Sequence, residues 1–330
     1  MADPFEFRQG YVEAGRIEGP GVRVRLGRQD LLFGSGRLVT SGDWSNVTRS
    51  FDIVRGTVTA TGLKMDLVAG SVVAPDVNRL DRHKPGEHFY GVYTTLSGLT
   101  PRASVEPYFL AKTQRNVKGK DGRAGDGDTL YLGGRVFGKL PPALDYSVEV
   151  VRELGSYADD AVRAWGYVAG GGWTLSHATW KPRLNSDYAY ASGDSGVNDG
   201  RHQSFDYLYG ANQPYYGLTG QFAWRNLKHW RAGVELAPWR RLKVKVDFRD
   251  YWLANVQDGL YSCGGTRTVM NAKATSAHVG EGVDAQFNFT LSTKTLLGAG
   301  VGTIAPGSYL AQSGKTSGYV YPYITLTRQL

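Results

Sequence analysis

Arg241-Leu242-Lys243-Val244-Lys245-Val246-Asp247-Phe248-Arg249 alternates charged and apolar residues without a fault. Successive side chains of a strand point to opposite faces. Leu242, Val244, Val246 and Phe248 therefore take one face, and Lys243, Lys245, Asp247 and Arg249 the other. The stretch reads as a strand between an apolar medium and a very polar one. The same pattern recurs in Val22-Arg23-Val24-Arg25-Leu26, in Leu63-Lys64-Met65-Asp66-Leu67 and in Leu144-Asp145-Tyr146-Ser147-Val148-Glu149-Val150. It recurs again from Val283 to Leu291.

Working outward from these runs gives about fifteen strands, near 5–16, 21–33, 50–60, 62–73, 87–98, 103–115, 128–139, 143–153, 161–173, 177–190, 226–238, 241–253, 277–291, 294–303 and 318–330. Most are longer than the roughly 5–6 residues usual in soluble proteins. They match the roughly 9–11 residues with which a tilted strand crosses a bilayer. Connections alternate. Tight turns are expected at Glu18–Gly21, Thr61-Gly62, Gly98–Arg102, Leu140-Pro141-Pro142, Leu175-Ser176, Pro238–Arg240 and Ser292-Thr293. Long connections are expected at 34–49, 74–86, 116–127, 154–160, 191–225, 254–276 and 304–317. Short turns on one rim and long loops on the other are the habit of outer-membrane barrels. The expected class is all-β: a transmembrane antiparallel up-and-down β-barrel.

Composition agrees. The 330 residues include 44 Gly, 20 Tyr and 8 Trp, with a formal net charge of +8. No run approaches the ~18 apolar residues of a membrane-spanning helix. In a barrel wall lipid-facing and lumen-facing residues alternate, so mean hydropathy stays low, here -0.34. The single cysteine, Cys263, excludes an intrachain disulfide framework.

If the apolar parity faces lipid, the polar parity lines a lumen. The basic residues expected there are Arg23, Arg25, Arg55, Lys64, Arg135, Arg163, Arg183, Lys243, Lys245 and Arg249. The acidic ones are Asp66, Glu106, Asp145, Glu149, Asp247 and Asp284. Pore walls carry charge merely to be wet and to pair across strands. The collective basic excess is what points to anions, which a basic channel concentrates. Trp173, Trp180, Trp239 and Trp252 are placed as interfacial girdle residues. Tyr131, Tyr167, Tyr321 and Tyr323 are placed on the lumen side, as filler or as stacking faces for sugar rings.

Other chemistry finds little support. The six histidines show no H-E-x-x-H or comparable ligand spacing. Gly34-Ser35-Gly36 and Gly193-Asp194-Ser195-Gly196 are loop signals rather than phosphate loops, since no Lys-Ser/Thr follows. There is no G-x-S-x-G elbow. No catalytic residue, metal or cofactor is expected. Basic residues are spread over strands rather than gathered in a patch, which argues against nucleic acid.

Several segments together resemble one family. Arg25-Leu26-Gly27-Arg28-Gln29-Asp30-Leu31-Leu32-Phe33-Gly34-Ser35-Gly36-Arg37-Leu38 is similar to the R-x-G-R-Q-x-L-x-Y-G-x-x-R-L segment of alginate-export outer-membrane barrels, and Trp44, Asn46, Arg49, Phe51 and Asp52 continue it. Tyr190–Asp194, Phe205–Gly210, Tyr215–Gly217, Trp224–Leu227 and Pro306–Leu310 extend the likeness in order. The motif residues are Gly27, Arg28, Gln29, Trp44, Asn46, Phe51 and Asp52. The resemblance implies a barrel of about eighteen strands with a positive constriction that passes a polyanionic uronate polysaccharide. On that basis residues 1–330 are expected to form one barrel domain that lacks its amino-terminal strands and signal peptide, because Met1-Ala2-Asp3-Pro4 opens on no leader pattern.

The expected function is an outer-membrane channel passing anionic polysaccharide or oligosaccharide by passive, electrostatically selected diffusion. Its partners would be outer-membrane lipid, the polysaccharide and a periplasmic secretion partner. Two alternatives stand beside it: a barrel-embedded enzyme acting on polysaccharide or lipid, and a soluble β-rich carbohydrate-binding protein. Two physical expectations accompany the motif. Gly27 leaves room for a neighbouring Arg to cross above it. The first long loop folds inward, held by Arg37 and Asp43.

Overall fold

The computed structural model describes residues 7–16, 18–42, 48–76, 79–119, 122–175, 177–196 and 199–329. Fifteen long strands are present among them. They are β1 Gly10–Gly15, β2 Gly21–Gln29, β3 Phe51–Ala60, β4 Leu63–Ala74, β5 Glu87–Thr100, β6 Ala103–Lys118, β7 Ala124–Leu140, β8 Leu144–Tyr157, β9 Asp160–Thr174, β10 Arg183–Ala191, β11 Leu227–Trp239, β12 Leu242–Leu253, β13 His278–Ser292, β14 Thr295–Pro306 and β15 Tyr319–Arg328. With two short pieces, Arg82–His83 and Arg201–His202, they make a 17-stranded sheet. Each strand expected from the alternation is found. The up-and-down order is that of an outer-membrane barrel wall.

The chain divides into two compact units. Unit 1 comprises residues 1–136, 149–165 and 196–211; unit 2 comprises 137–148, 166–195 and 212–330. In unit 1, β1 through β6 pair as antiparallel neighbours, with registers such as Arg25↔Arg55, Thr57↔Asp66 and Tyr93↔Tyr108. In unit 2, β9 through β15 do the same, with Asp187↔Arg231, Arg231↔Arg249 and Asp247↔Asp284 in register.

Burial is inverted relative to a soluble protein. Val24, Leu26, Val54, Leu67, Phe109, Leu132, Val150, Phe248 and Ile324 are exposed. Asp66, Glu106, Glu149, Asp187, Asp247, Arg249 and Asp284 are buried. Exposed large apolar patches ordinarily mark an interaction or membrane surface. Here they follow one parity of strand after strand, which is what a lipid-facing wall requires.

Three connections differ from expectation. β8 runs to Tyr157 and β9 begins at Asp160, so the expected 154–160 loop is a two-residue turn through Ala158 and Asp159. Its Ala158 takes a φ of 51°. β6 and β7 likewise close the 116–127 loop down to 119–123. These strands simply keep pairing past the point where their apolar alternation stops. Conversely β10 starts only at Arg183, because Trp180 and Lys181 adopt positive φ and break the strand.

Candidate pore lining

In unit 1 the cations of the polar parity are clamped by carboxylates on adjacent strands. Arg25 and Arg23 share Glu13, at 2.6 Å and 3.8 Å. Arg55 meets Asp66 at 2.9 Å, where Lys64 also reaches within 3.7 Å and Thr57 Oγ1 donates a further hydrogen bond. Arg135 meets Glu106 at 2.9 Å, and the Tyr93 hydroxyl donates to the same carboxylate. Glu149 is buried and accepts from Tyr108 Oη at 3.1 Å and from Ser35 Oγ at 3.3 Å.

The connection between β2 and β3 packs on these same side chains. Phe33 stacks on Tyr93 at 4.8 Å, and Tyr93 stacks on Tyr108 at 5.4 Å. Leu31, Phe33, Leu38 and Val39 are buried. The inward folding expected of this loop is therefore present. Arg37 is buried and its charge acts on Glu149. Asp43, Trp44 and Asn46 lie outside the described residues.

A second layer in unit 1 holds residues 204–211. Lys112 Nζ forms an ion pair with Asp206, whose backbone N–H donates to Glu153 at 2.8 Å. Tyr131 Oη also donates to Glu153, at 3.1 Å. Glu87 receives Lys84 at 2.6 Å and the Tyr209 hydroxyl at 2.8 Å. The Tyr209 ring meets Phe51 and Phe89 edge-on, both at 5.4 Å. Arg49 donates to the Tyr209 carbonyl and lies over its ring. Burial, reinforced by the Glu87 charge, holds the Tyr209 phenol well above its ordinary pKa. Burial pulls Arg49 down from its own.

The motif residues that are described build this corner. Gln29 is buried and donates to the Ile53 carbonyl at 3.2 Å. Arg28 binds Asp52 through two hydrogen bonds of 2.8 Å and 2.9 Å. Gly27 has φ of 129°, and a Cβ there would stand 2.5 Å from the Gly10 carbonyl oxygen. The missing side chain lets the Gly10–Tyr11 backbone come close; Tyr11 stands opposite Gly27 in register, and Arg25 lies 4.0 Å over the Tyr11 ring.

Unit 2 carries a ladder of paired arginines. Arg183 is held by Asp145 at 2.7 Å and by Glu235 at 3.0 Å. Arg231 is held by Asp187 at 2.6 Å and by Asp247 at 3.2 Å. Arg249 is held by Asp247 at 3.0 Å and by Asp284 at 2.6 Å, and Lys245 also reaches Asp247 at 3.1 Å. Residues 212–224 are pinned to this ladder. Arg249 donates to the Tyr215 carbonyl at 2.5 Å and Tyr251 Oη donates to the Tyr216 carbonyl at 3.1 Å. Phe222 stacks on Tyr251 at 4.0 Å. Nearer the tight turns lies a cavity of about 330 Å³, lined by Lys181, Arg183, Glu235, Lys243, Lys245, Gln286 and Asn288 among others. Lys181 and Lys243 have no ion pair among the described residues.

Two placements differ from the sequence reading. Arg163 is exposed and shares its parity with Trp165, which is 47% exposed, while Val162 and Ala164 are buried. It points away from the polar side. Tyr167 shares that outward parity and stacks on Tyr190 at 5.0 Å. Conversely Glu13, Glu87, Lys112, Glu153, Asp187, Arg231 and Glu235 join the polar clusters without having been singled out. Their signal was parity alone: each sits an even number of residues from a charged or tyrosine neighbour on its own strand. Five of these seven additions are acids, and with Arg163 turned outward they cancel the expected basic excess among the named residues.

A family model described as alginate export matches residues 2–321. The chain belongs to the alginate export family. The structure is similar to that of OccK11 (OpdR) from Pseudomonas aeruginosa, with a TM-score of 0.60 at 12% identity over 93% of this chain and 76% of that one. It is similar to OccK5 (OpdH) of the same organism at a TM-score of 0.60 and 11% identity, covering 92% and 78%. The outer membrane protein OprD follows at 0.54 and 10%, covering 93% and 74%. A comparison with curated proteins finds no significant match. At such identities the likeness establishes the fold alone. Family and fold together make this alginate export family member an outer-membrane β-barrel channel protein of the bacterial outer membrane. The soluble alternative is thereby set aside.

Proposed function

We propose that this family member passes an anionic polysaccharide or oligosaccharide, of the alginate-like polyuronate class, by passive diffusion selected electrostatically. The observation that carries the reading is the arginine ladder of unit 2, where Arg183, Arg231 and Arg249 are each held by two carboxylates. Arg183 and Arg231 are partly exposed and keep their remaining N–H donors in a fixed place, and planar donors of that kind suit carboxylates, while Arg249 is buried and holds the Tyr215 carbonyl. The flanking acids limit the depth of the well, so that a polyanion is attracted without being trapped. Lys181 and Lys243 add uncompensated positive charge at the tight-turn end, where a carboxylate-bearing chain would enter. The basic residues of the polar parity supply selection, and no step of bond making is required. A planar-bilayer measurement of reversal potential in a salt gradient, with and without polyuronate, tests this. Anion selectivity with reversible block by polyuronate is expected. Cation selectivity, or indifference to the polymer, would sink the proposal.

A further inference from the structure

The outward face of β8 and β9 carries a feature that the transport reading does not use. On β9 the exposed residues Trp165 and Trp173 lie eight positions apart, about 26 Å along a strand at ~3.3 Å per residue. With strands tilted ~35–45° this spans ~20 Å of the membrane thickness, most of the ~25 Å apolar band of an outer-membrane barrel, which aromatic girdles flank at both interfaces. The two tryptophans thus mark the two edges of the band. Trp173 is nearest the tight turns. Trp165 is nearest the rim that carries the long connections, which in such barrels is the cell exterior.

Two arginines sit at and just beyond that outer edge. Arg152 of β8 lies over the Trp165 ring, 4.4 Å from its centroid. Arg163 of β9 shares the outward parity of Trp165 and is one outward position nearer the rim. Arg163 and Trp165 are same-face neighbours two residues apart on β9, so the guanidinium of Arg152 over the Trp165 ring lies on the same patch as Arg163. Neither forms an ion pair among the described residues. Elsewhere on this wall the arginines Arg28, Arg55, Arg135, Arg183, Arg231 and Arg249 each have a carboxylate partner. Two like charges left side by side at the membrane interface call for an anion from outside the protein. At that depth the available anion is the phosphate of a lipid headgroup.

We propose that Arg152 and Arg163, with Trp165 beneath them, form a clamp for the phosphate of an anionic lipid of the outer leaflet. The guanidinium groups provide paired N–H donors of the kind that match phosphate oxygens. The indole holds Arg152 in place through its ring face and keeps the acyl side of the contact apolar.

The test uses the full chain, folded in detergent micelles, with lipopolysaccharide and its enzymatically dephosphorylated form as probes and native mass spectrometry to count bound lipid. The wild type should retain the phosphorylated lipid at least ten times better than the dephosphorylated one. The double variant Arg152→Gln/Arg163→Gln should lose about 30-fold in affinity, from about 1 kcal/mol for each basic group near a membrane surface. Arg152→Lys/Arg163→Lys should recover most of it. Heat-shifted gel mobility reports folding, and the single variant Arg163→Gln serves if the double one does not fold. Undiminished binding by a folded Gln variant, or equal retention of the dephosphorylated lipid, would overturn the proposal. So would displacement by millimolar inorganic phosphate, which would mark a free-anion site.

Discussion

Arg249 Nε stands 2.6 Å from Asp284 Oδ2, and the Leu218 backbone N–H donates into the same carboxylate at 3.2 Å. One buried charge pair therefore joins two wall strands and the connection between β10 and β11. Removing one member of such a pair leaves a buried charge uncompensated, at a cost of about 3–5 kcal/mol. The wall is held by many backbone hydrogen bonds of its own, whereas residues 212–224 are held by buried side chains such as Phe222 and Trp224 and by the polar anchors at Arg249, Tyr251 and Asp284.

Asp284→Asn keeps the shape of the side chain and removes its charge. The connection should loosen before the wall does. Single-channel recording should show a larger and noisier current than wild type, with heat-shifted mobility retained. A current indistinguishable from wild type would show that residues 212–224 do not restrict the conducting path.

Gly27→Val tests the corner beside Tyr11. Its φ of 129° is open to glycine, and the added Cβ would meet the Gly10 carbonyl at 2.5 Å. Backbone strain of this kind costs of order 1–3 kcal/mol, before the clash is counted. The temperature at which the folded gel band is lost should fall by at least ~5 °C, and protease should release the segment ahead of β2. Unaltered heat resistance would mean that β1 contributes nothing to the wall.

Lys112→Met should disrupt unit 1 differently. Lys112 is buried and pairs with Asp206, while Glu87 and Glu153 lie close by. Losing the cation leaves an acid-rich cluster without its counter-charge. The 204–211 segment should then detach, read as new protease cleavage there at neutral pH. Lowering the pH should suppress that cleavage, because protonating the carboxylates relieves their repulsion. Equal cleavage of variant and wild type would deny Lys112 this anchoring role.

The wall was legible because period-two alternation is a local property. Leu242–Phe248 displays its whole two-faced character within a few residues. The site was half legible for the same reason. Arg55, Asp66, Arg135, Glu106, Arg249 and Asp284 declare their face by parity, but which acid meets which base depends on register, and that is set by distant pairings such as Asp247↔Asp284. Arg163 was misplaced because its neighbours Val162 and Ala164 look apolar enough to face lipid. Small residues such as Ala164 pass as lipid-facing when they in fact let crowded inner side chains fit. The pinned loops were the least legible part. Leu218 and Tyr215 carry no signal that their backbone groups will be taken up by Asp284 and Arg249.

The charge at the tight-turn end decides between electrostatic selection and a merely wetted wall. Lys181 and Lys243 both line the cavity of about 330 Å³ there, and neither is ion-paired among the described residues. Reversing both with Lys181→Glu/Lys243→Glu changes the local charge by four units without touching the Arg183, Arg231 or Arg249 pairs. Exposed charges within about a Debye length, ~10 Å at 0.1 M salt, should feel the change. Reversal potential should shift toward cation selectivity, and block by polyuronate should weaken by about tenfold or more at low salt. The effect should shrink as salt rises, since screening removes the field and leaves the geometry unaltered. A selectivity change that persisted at 1 M salt would point to altered pore shape, and no change at any salt would place this cavity off the path of the permeating anion.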